Sequence, residues 1–194
     1  MSIATYAAGI RDYFNRLQDA MTKAEIDEIA TIADLLHTAY EQEKNIFVMG
    51  NGGSGATASH MVCDLNKGAC FTSEKKFRVI ALTDNTPMIL ALGNDVGFDS
   101  IFVEQMKPFA KSGDVVIGIS GSGNSPDVLR AIEYANQLGC ITVGVCGFGG
   151  GKLKPMVQHS FHVKVDDMQI VEDLHMIMVH ILMQILNTKK CGCC

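Results

Sequence analysis

Apolar residues in the first forty positions recur at helical spacing: Ile10, Tyr13, Phe14, Leu17 and Met21, then Ile26, Ile29, Ile32, Leu35 and Leu36. The pattern predicts two helices over residues 4–40, broken near Thr22, where Thr22 or Lys23 precedes a fresh turn. They would cover a sheet or pair with another subunit. From Asn45 the period changes. The run Asn45-Ile46-Phe47-Val48-Met49-Gly50 is short, apolar and β-prone, and it runs into Gly-Asn-Gly-Gly-Ser. A buried strand, a glycine turn and then a helix over residues 56–65 open a βαβ unit. Further strands are expected at 77–82, 115–120, 140–146 and 160–165, with helices at 86–92, 97–109 and 125–138 between them. A closing helix over 168–186 is apolar nearly all round, which predicts that it is largely buried. The alternation argues for an α/β fold, a parallel sheet with helices on both faces.

Length and composition narrow this. The 194 residues suffice for one domain with a sizeable core. We read residues 1–190 as that domain, with N-terminal helices over 1–42, a sheet-and-helix core over 45–186, and a Cys-rich tail over 187–194. Hydrophobic residues at 47% and charged residues at 19% fit a folded globular chain. The net charge of −5 and scattered lysines offer no footprint for nucleic acid or an anionic membrane. The N-terminus has no basic stretch followed by an apolar one, and no apolar run approaches the roughly 20 residues of a membrane span. A cytoplasmic protein is the expectation, with no membrane partner. Of seven cysteines, Cys63, Cys70, Cys140 and Cys146 sit inside apolar or helical patterns, as reduced thiols do. The tail Lys-Lys-Cys-Gly-Cys-Cys is read as a frayed end and assigned no function.

Two strand ends carry the same kind of loop: Gly50-Asn51-Gly52-Gly53-Ser54-Gly55 and Ser120-Gly121-Ser122-Gly123-Asn124-Ser125. Open α/β sheets bind ligands outside the carboxyl ends of their strands. Serine and glycine there give hydroxyl donors, close backbone approach and a helix N-terminus that favours an anion. No lysine follows the glycines as a P-loop demands. The expected ligand is therefore a phosphate monoester on a small molecule. His60 and Asp64, four apart, share one helix face at a spacing suited to joint metal or acid–base work. The last helix carries Glu172, His175 and His180. His175 alone reads as a satisfied core residue. Four ionisable groups on two apolar helices each need a partner.

At these residues the sequence resembles the sugar isomerase (SIS) domain family, and within it the phosphoheptose isomerases. The motifs are GNGGSGATASH, LTDNTPMILALGNDVGFDSIF, SGSGNSPDVLRAIEYA and EDLHMIMVHIL, in the family's order over roughly residues 45 to 186. The resemblance implies a three-layer α/β/α sandwich on a five-stranded parallel sheet, flavodoxin- or Rossmann-like, in a homotetramer with active sites between subunits. It implies that Ser54, Ser120, Ser122 and Ser125 hold the phosphate of a sugar phosphate while Asn51 and Gly52 line the sugar. Gly121, where the family usually has threonine, lies in the same loop, and Asp95 would also reach the site. Asp64 would be the base that moves a proton between C1 and C2, with His180 its acid partner. Zinc or another divalent metal would be held through His60, Asp64, Glu172 and His180.

The chain departs from the family pattern. Asp64 is one methylene shorter than the usual glutamate, and Glu172 replaces a glutamine. An arginine expected after the first core helix gives way to Lys67 or Gly68. Two histidines with two carboxylates make a harder metal site than the neutral-amide version. A base displaced by about 1 Å can cost on the order of 100-fold in rate. The expectation is a metal-assisted ketose–aldose isomerase in which Asp64 or Glu172 takes the proton, sedoheptulose 7-phosphate being its substrate. Two alternatives stay open: an isomerase or epimerase of another sugar phosphate, and a non-catalytic tetrameric adaptor of the same fold.

Overall fold

The computed structural model describes residues 3–191, with side chains through residue 187. The last residues of the cysteine tail and its thiols lie outside the described residues. Two helices, α1 (Ile3–Thr22) and α2 (Ile26–Glu41), precede β1 (Asn45–Gly50). Then follow α3 (Gly52–Cys63), β2 (Arg78–Ala81), α4 (Thr86–Asp95), α5 (Ile101–Met106) and β3 (Val115–Ser120). The rest is α6 (Pro126–Leu138), β4 (Ile141–Gly147), the short α7 (Leu153–Met156), β5 (His159–Val163) and α8 (Met168–Cys191).

All strand pairs are parallel, in the order β2-β1-β3-β4-β5. Strand alternation builds the two outer layers. Ile46 and Val48 of β1 join a core with Ile32 and Leu36 of α2, Met61 of α3 and Leu174 of α8. Phe47 and Met49 face the other way, against Phe102 of α5 and Ile132 of α6. The chain reverses direction of travel through the sheet between β1 and β3, and at such a switch point the loops after both strands border one crevice. Glycine–serine loops follow each of these two strands.

The expected elements are present with shifted ends. The helix after the first loop starts at Gly52 rather than residue 56, because Gly52 at φ +51° begins the turn and the small residues after it fit closely. A Cβ at Gly55 would lie 2.9 Å from the Gly50 carbonyl oxygen. α3 then widens into a π-turn over Asp64–Gly68. The segment expected as one helix over 97–109 is a 3₁₀ turn, Phe98–Ser100, leading into α5. By length and composition Met168–Asn187 would pass as a membrane span, contrary to the sequence expectation. Here Ile170, Val171, Leu174, Met178 and Leu182 of α8 are buried in the core.

α1 is the exception to close packing. Only Ala20 of it is buried, while Ile3, Tyr6, Ile10 and Phe14 stand exposed along one side. It is fastened to α8 and the turn before it by Tyr13 Oη, which donates to Asp173 at 2.6 Å, and by the Arg16–Asp167 ion pair.

Candidate functional site

The serine loop is held in shape by its own backbone. Gly123 N–H donates to Ser120 O at 2.9 Å, and Asn124 N–H donates to Ser122 Oγ at 3.2 Å. Ser120 and Ser125 hydroxyls meet at 3.0 Å. Gly123 has φ +65°, and a Cβ there would strike the Gly150 backbone, so the loop rests directly on the turn after β4. Ser54 and Ser120 are nearly buried. With Asn51, Ser122, Ser125 and Gly121 they line a pocket of about 140 Å³. Gly121 is matched to its surroundings, since Met168 fills the space that a side chain would need.

Among the described residues, no lysine or arginine lines this pocket. An anion there meets neutral hydroxyls and the positive ends of α3 and α6, the donor set that helix N-termini give a phosphate. One carboxylate lines it too: Glu172, whose side chain lies against Gly53 in the first turn of α3. On the other side of Asn51, a cavity of about 320 Å³ is bordered by Gly52, Ser59, Thr83 and Phe98. Ser59 bonds to Thr83 Oγ1 at 3.0 Å and to Asp84. Thr83 and Asp84 were legible only as part of the LTDN motif at the end of β2; Asp127, under the serine loop, was missed altogether.

Farther along α3, His60 Nε2 and His180 Nε2 are 3.0 Å apart, and Asp64 Oδ2 is 3.5 Å from His60 Nε2. One ligand atom from each lies within 4.8 Å of the others. Asp64 Oδ2 is buried without a hydrogen-bond partner. Two imidazole nitrogens facing each other beside an orphaned carboxylate oxygen make a possible metal site, as the chemistry of the donors requires. Of the four expected ligands, Glu172 is the one not brought into this cluster; it sits at the serine pocket. The physical reason is helical: His180 is two turns beyond Glu172, a rise of about 12 Å. Asp95, at the end of α4, is exposed, hydrogen-bonds to Asn94, and lines neither cavity of its own chain.

α3 and α8 run the same way, so Gly53 meets Glu172 and His60 meets His180. The serine pocket thus lies at the head of the groove between these two helices and the His60–Asp64–His180 cluster about 10 Å along it. His175 is core, as expected, but not satisfied: it is fully buried, packs against Phe161 at 6.3 Å between centroids, and neither ring nitrogen has a hydrogen-bond partner.

Comparison with known proteins agrees with this fold. Residues 10–147 match the model of the SIS domain family. A phosphoheptose isomerase of Geotalea daltonii is 40% identical over 165 residues, 85% of each chain. A probable phosphoheptose isomerase of Thermoplasma acidophilum is 36% identical over 179 residues, 92% of this chain and 98% of its own. Among solved structures, a phosphoheptose isomerase from Francisella tularensis superposes with a TM-score of 0.88 at 29% identity, covering 97% of this chain and 100% of its own.

Proposed function

The chain belongs to the SIS domain family, and from that premise we propose that it is an aldose–ketose isomerase converting sedoheptulose 7-phosphate to a D-glycero-heptose 7-phosphate. The observation that carries the reading is the alignment of two sites along the α3–α8 pair. A hydroxyl-lined anion pocket, with Glu172 at its border, and an acid–base cluster lie about 10 Å apart along paired helices. That span suits an open sugar chain with phosphate at one terminus and the reacting carbonyl near the other.

In this reading Ser54, Ser120, Ser122 and Ser125 hold the phosphate, and Gly121 lets their loop lie against Met168. Asn51 and Gly52 line the sugar. Asp64 removes the proton alpha to the carbonyl and returns it to the neighbouring carbon, through a cis-enediol. With its Nε2 free of metal, His180 serves the oxygens, giving a proton to one and accepting one from the other. Glu172, nearer the phosphate end, accepts hydrogen bonds from hydroxyls along the chain. His60, Asp64 and His180 would hold a divalent ion, zinc fitting the nitrogen-rich set, and when bound it supplies Lewis acidity toward a carbonyl oxygen. The enzyme is cytoplasmic and a homotetramer with sites between subunits; the exposed apolar stripe of α1 and the outlying Asp95 support the assembly.

The test is proton exchange followed by NMR, with sedoheptulose 7-phosphate in heavy water and shorter ketose phosphates alongside. Deuterium at C1 together with a new aldose phosphate signal is the expected result. Binding without exchange, for every ketose phosphate tried, would leave a sugar-phosphate-binding protein in place of the enzyme.

A further inference from the structure

Asp127 takes no part in the proton transfers just described. It is the second residue of α6, directly after Ser125 and Pro126, and it is 1% exposed. A carboxylate in a helix's first turn ordinarily faces solvent and the positive end of the helix. Asp127 turns inward instead and accepts a hydrogen bond from Asn51 Nδ2 at 3.0 Å, joining the two glycine loops across 76 residues of chain. Its other oxygen, Oδ2, is buried without a hydrogen-bond partner. Burial raises its pKa above the usual carboxylate value, while the Asn51 amide and the N–H of Val128 oppose the rise.

A carboxylate only accepts hydrogen bonds, so it decides which way a neighbouring amide faces. One N–H of the Asn51 amide is committed to Asp127, which leaves the carbonyl oxygen Oδ1 available as an acceptor. Asn51 lines both the serine pocket and the cavity beyond it. A carbonyl oxygen there receives a hydroxyl donor.

We propose that Asp127 is a positioning residue that fixes Asn51 with its carbonyl toward the substrate, so that the site selects a sugar hydroxyl close to the phosphate. This rests on the sugar-phosphate reading of the same groove. The test is a double-mutant cycle read by calorimetric binding of sedoheptulose 7-phosphate, with inorganic phosphate as a second probe. D127A and N51A should each weaken sugar-phosphate binding on the order of tenfold, and the double variant no further than N51A alone. D127N, which still offers an oxygen to Asn51, should restore most of the affinity. Inorganic phosphate, which lacks the sugar hydroxyl, should bind all variants alike. Should D127A not fold, D127L fills the same buried volume without an acceptor and should give the same loss.

Additive losses in the double variant, wild-type affinity in D127A or D127L, or a parallel loss of inorganic phosphate would overturn the assignment. The last result would make Asp127 a support of the serine loop only. Wild-type protein that binds inorganic phosphate but no sugar phosphate would overturn the sugar-phosphate reading itself, and this proposal with it.

Discussion

His60 and His180 bring two imidazole nitrogens to 3.0 Å beside an unpartnered Asp64 oxygen. Such a grouping is stabilised by a shared cation. Protein purified without chelator should therefore carry close to one equivalent of divalent metal by elemental analysis, and His180→Ala should lose it. Metal-free wild-type protein with full activity would remove the ion from the mechanism. His175, five residues before His180, behaves oppositely. Burial lowers its pKa from the ordinary 6.5 to about 4, and the backbone of Cys146 opposes the shift. The folded state thus excludes a proton that the unfolded chain takes up below about 6.5. Stability should fall as pH drops from about 6.5 toward 4, by up to about 3 kcal/mol at about 1.4 kcal/mol per pH unit. His175→Leu should flatten that part of the profile, which urea titrations at pH 7 and 5 would read. The sequence pattern marked His175 as core, because it falls on the apolar face of its helix. It gave no sign of Asp127, since a first-turn aspartate looks the same whether it faces water or a buried amide.

Two helices running in the same direction make the groove, and their close approach depends on glycine. At Gly53 a Cβ would run into the Glu172 carboxylate, the movable end of a side chain. Gly53→Ala should hardly change stability, as alanine is the better helix former. It should nevertheless displace Glu172 and lower kcat/KM by tenfold or more. A normal rate in Gly53→Ala would show that Glu172 does not touch substrate. Gly123→Ala differs, because there the obstacle is the Gly150 backbone and φ is +65°. That variant should lose both stability, by about 1–3 kcal/mol, and thermal stabilisation by sugar phosphates. Existence and type of the core strands and of the long helices were legible in the sequence. Buried parallel strands such as Val115–Ser120 read as unbroken apolar runs bounded by glycine or serine. Ends were less legible. The start of α3 at Gly52 and the π-turn at Asp64–Gly68 follow from packing between distant segments, on which local propensity carries no information.

One protomer leaves two things unfinished. Ile3, Tyr6, Ile10 and Phe14 recur at three- and four-residue intervals and remain exposed on α1, a helix with little hold on its own chain. Asp95 lies outside both cavities of its own protomer. In the proposed assembly a second copy would cover the apolar stripe and supply its own Asp95 to a neighbouring groove. Burying four large side chains, each worth about 1.5–3 kcal/mol, gives the assembly a sizeable driving force. Ile10→Asp combined with Phe14→Asp should therefore reduce the mass seen by light scattering from an oligomer to a smaller species. Those positions are exposed in the protomer, so its own fold should survive, with a near-unchanged circular dichroism spectrum. If the sites lie between subunits, isomerase activity should fall with the mass, and raising protein concentration should restore part of it by mass action. Full activity in a species of one-chain mass would instead mean that each groove is complete by itself, and Asp95 would then have no place in the reaction.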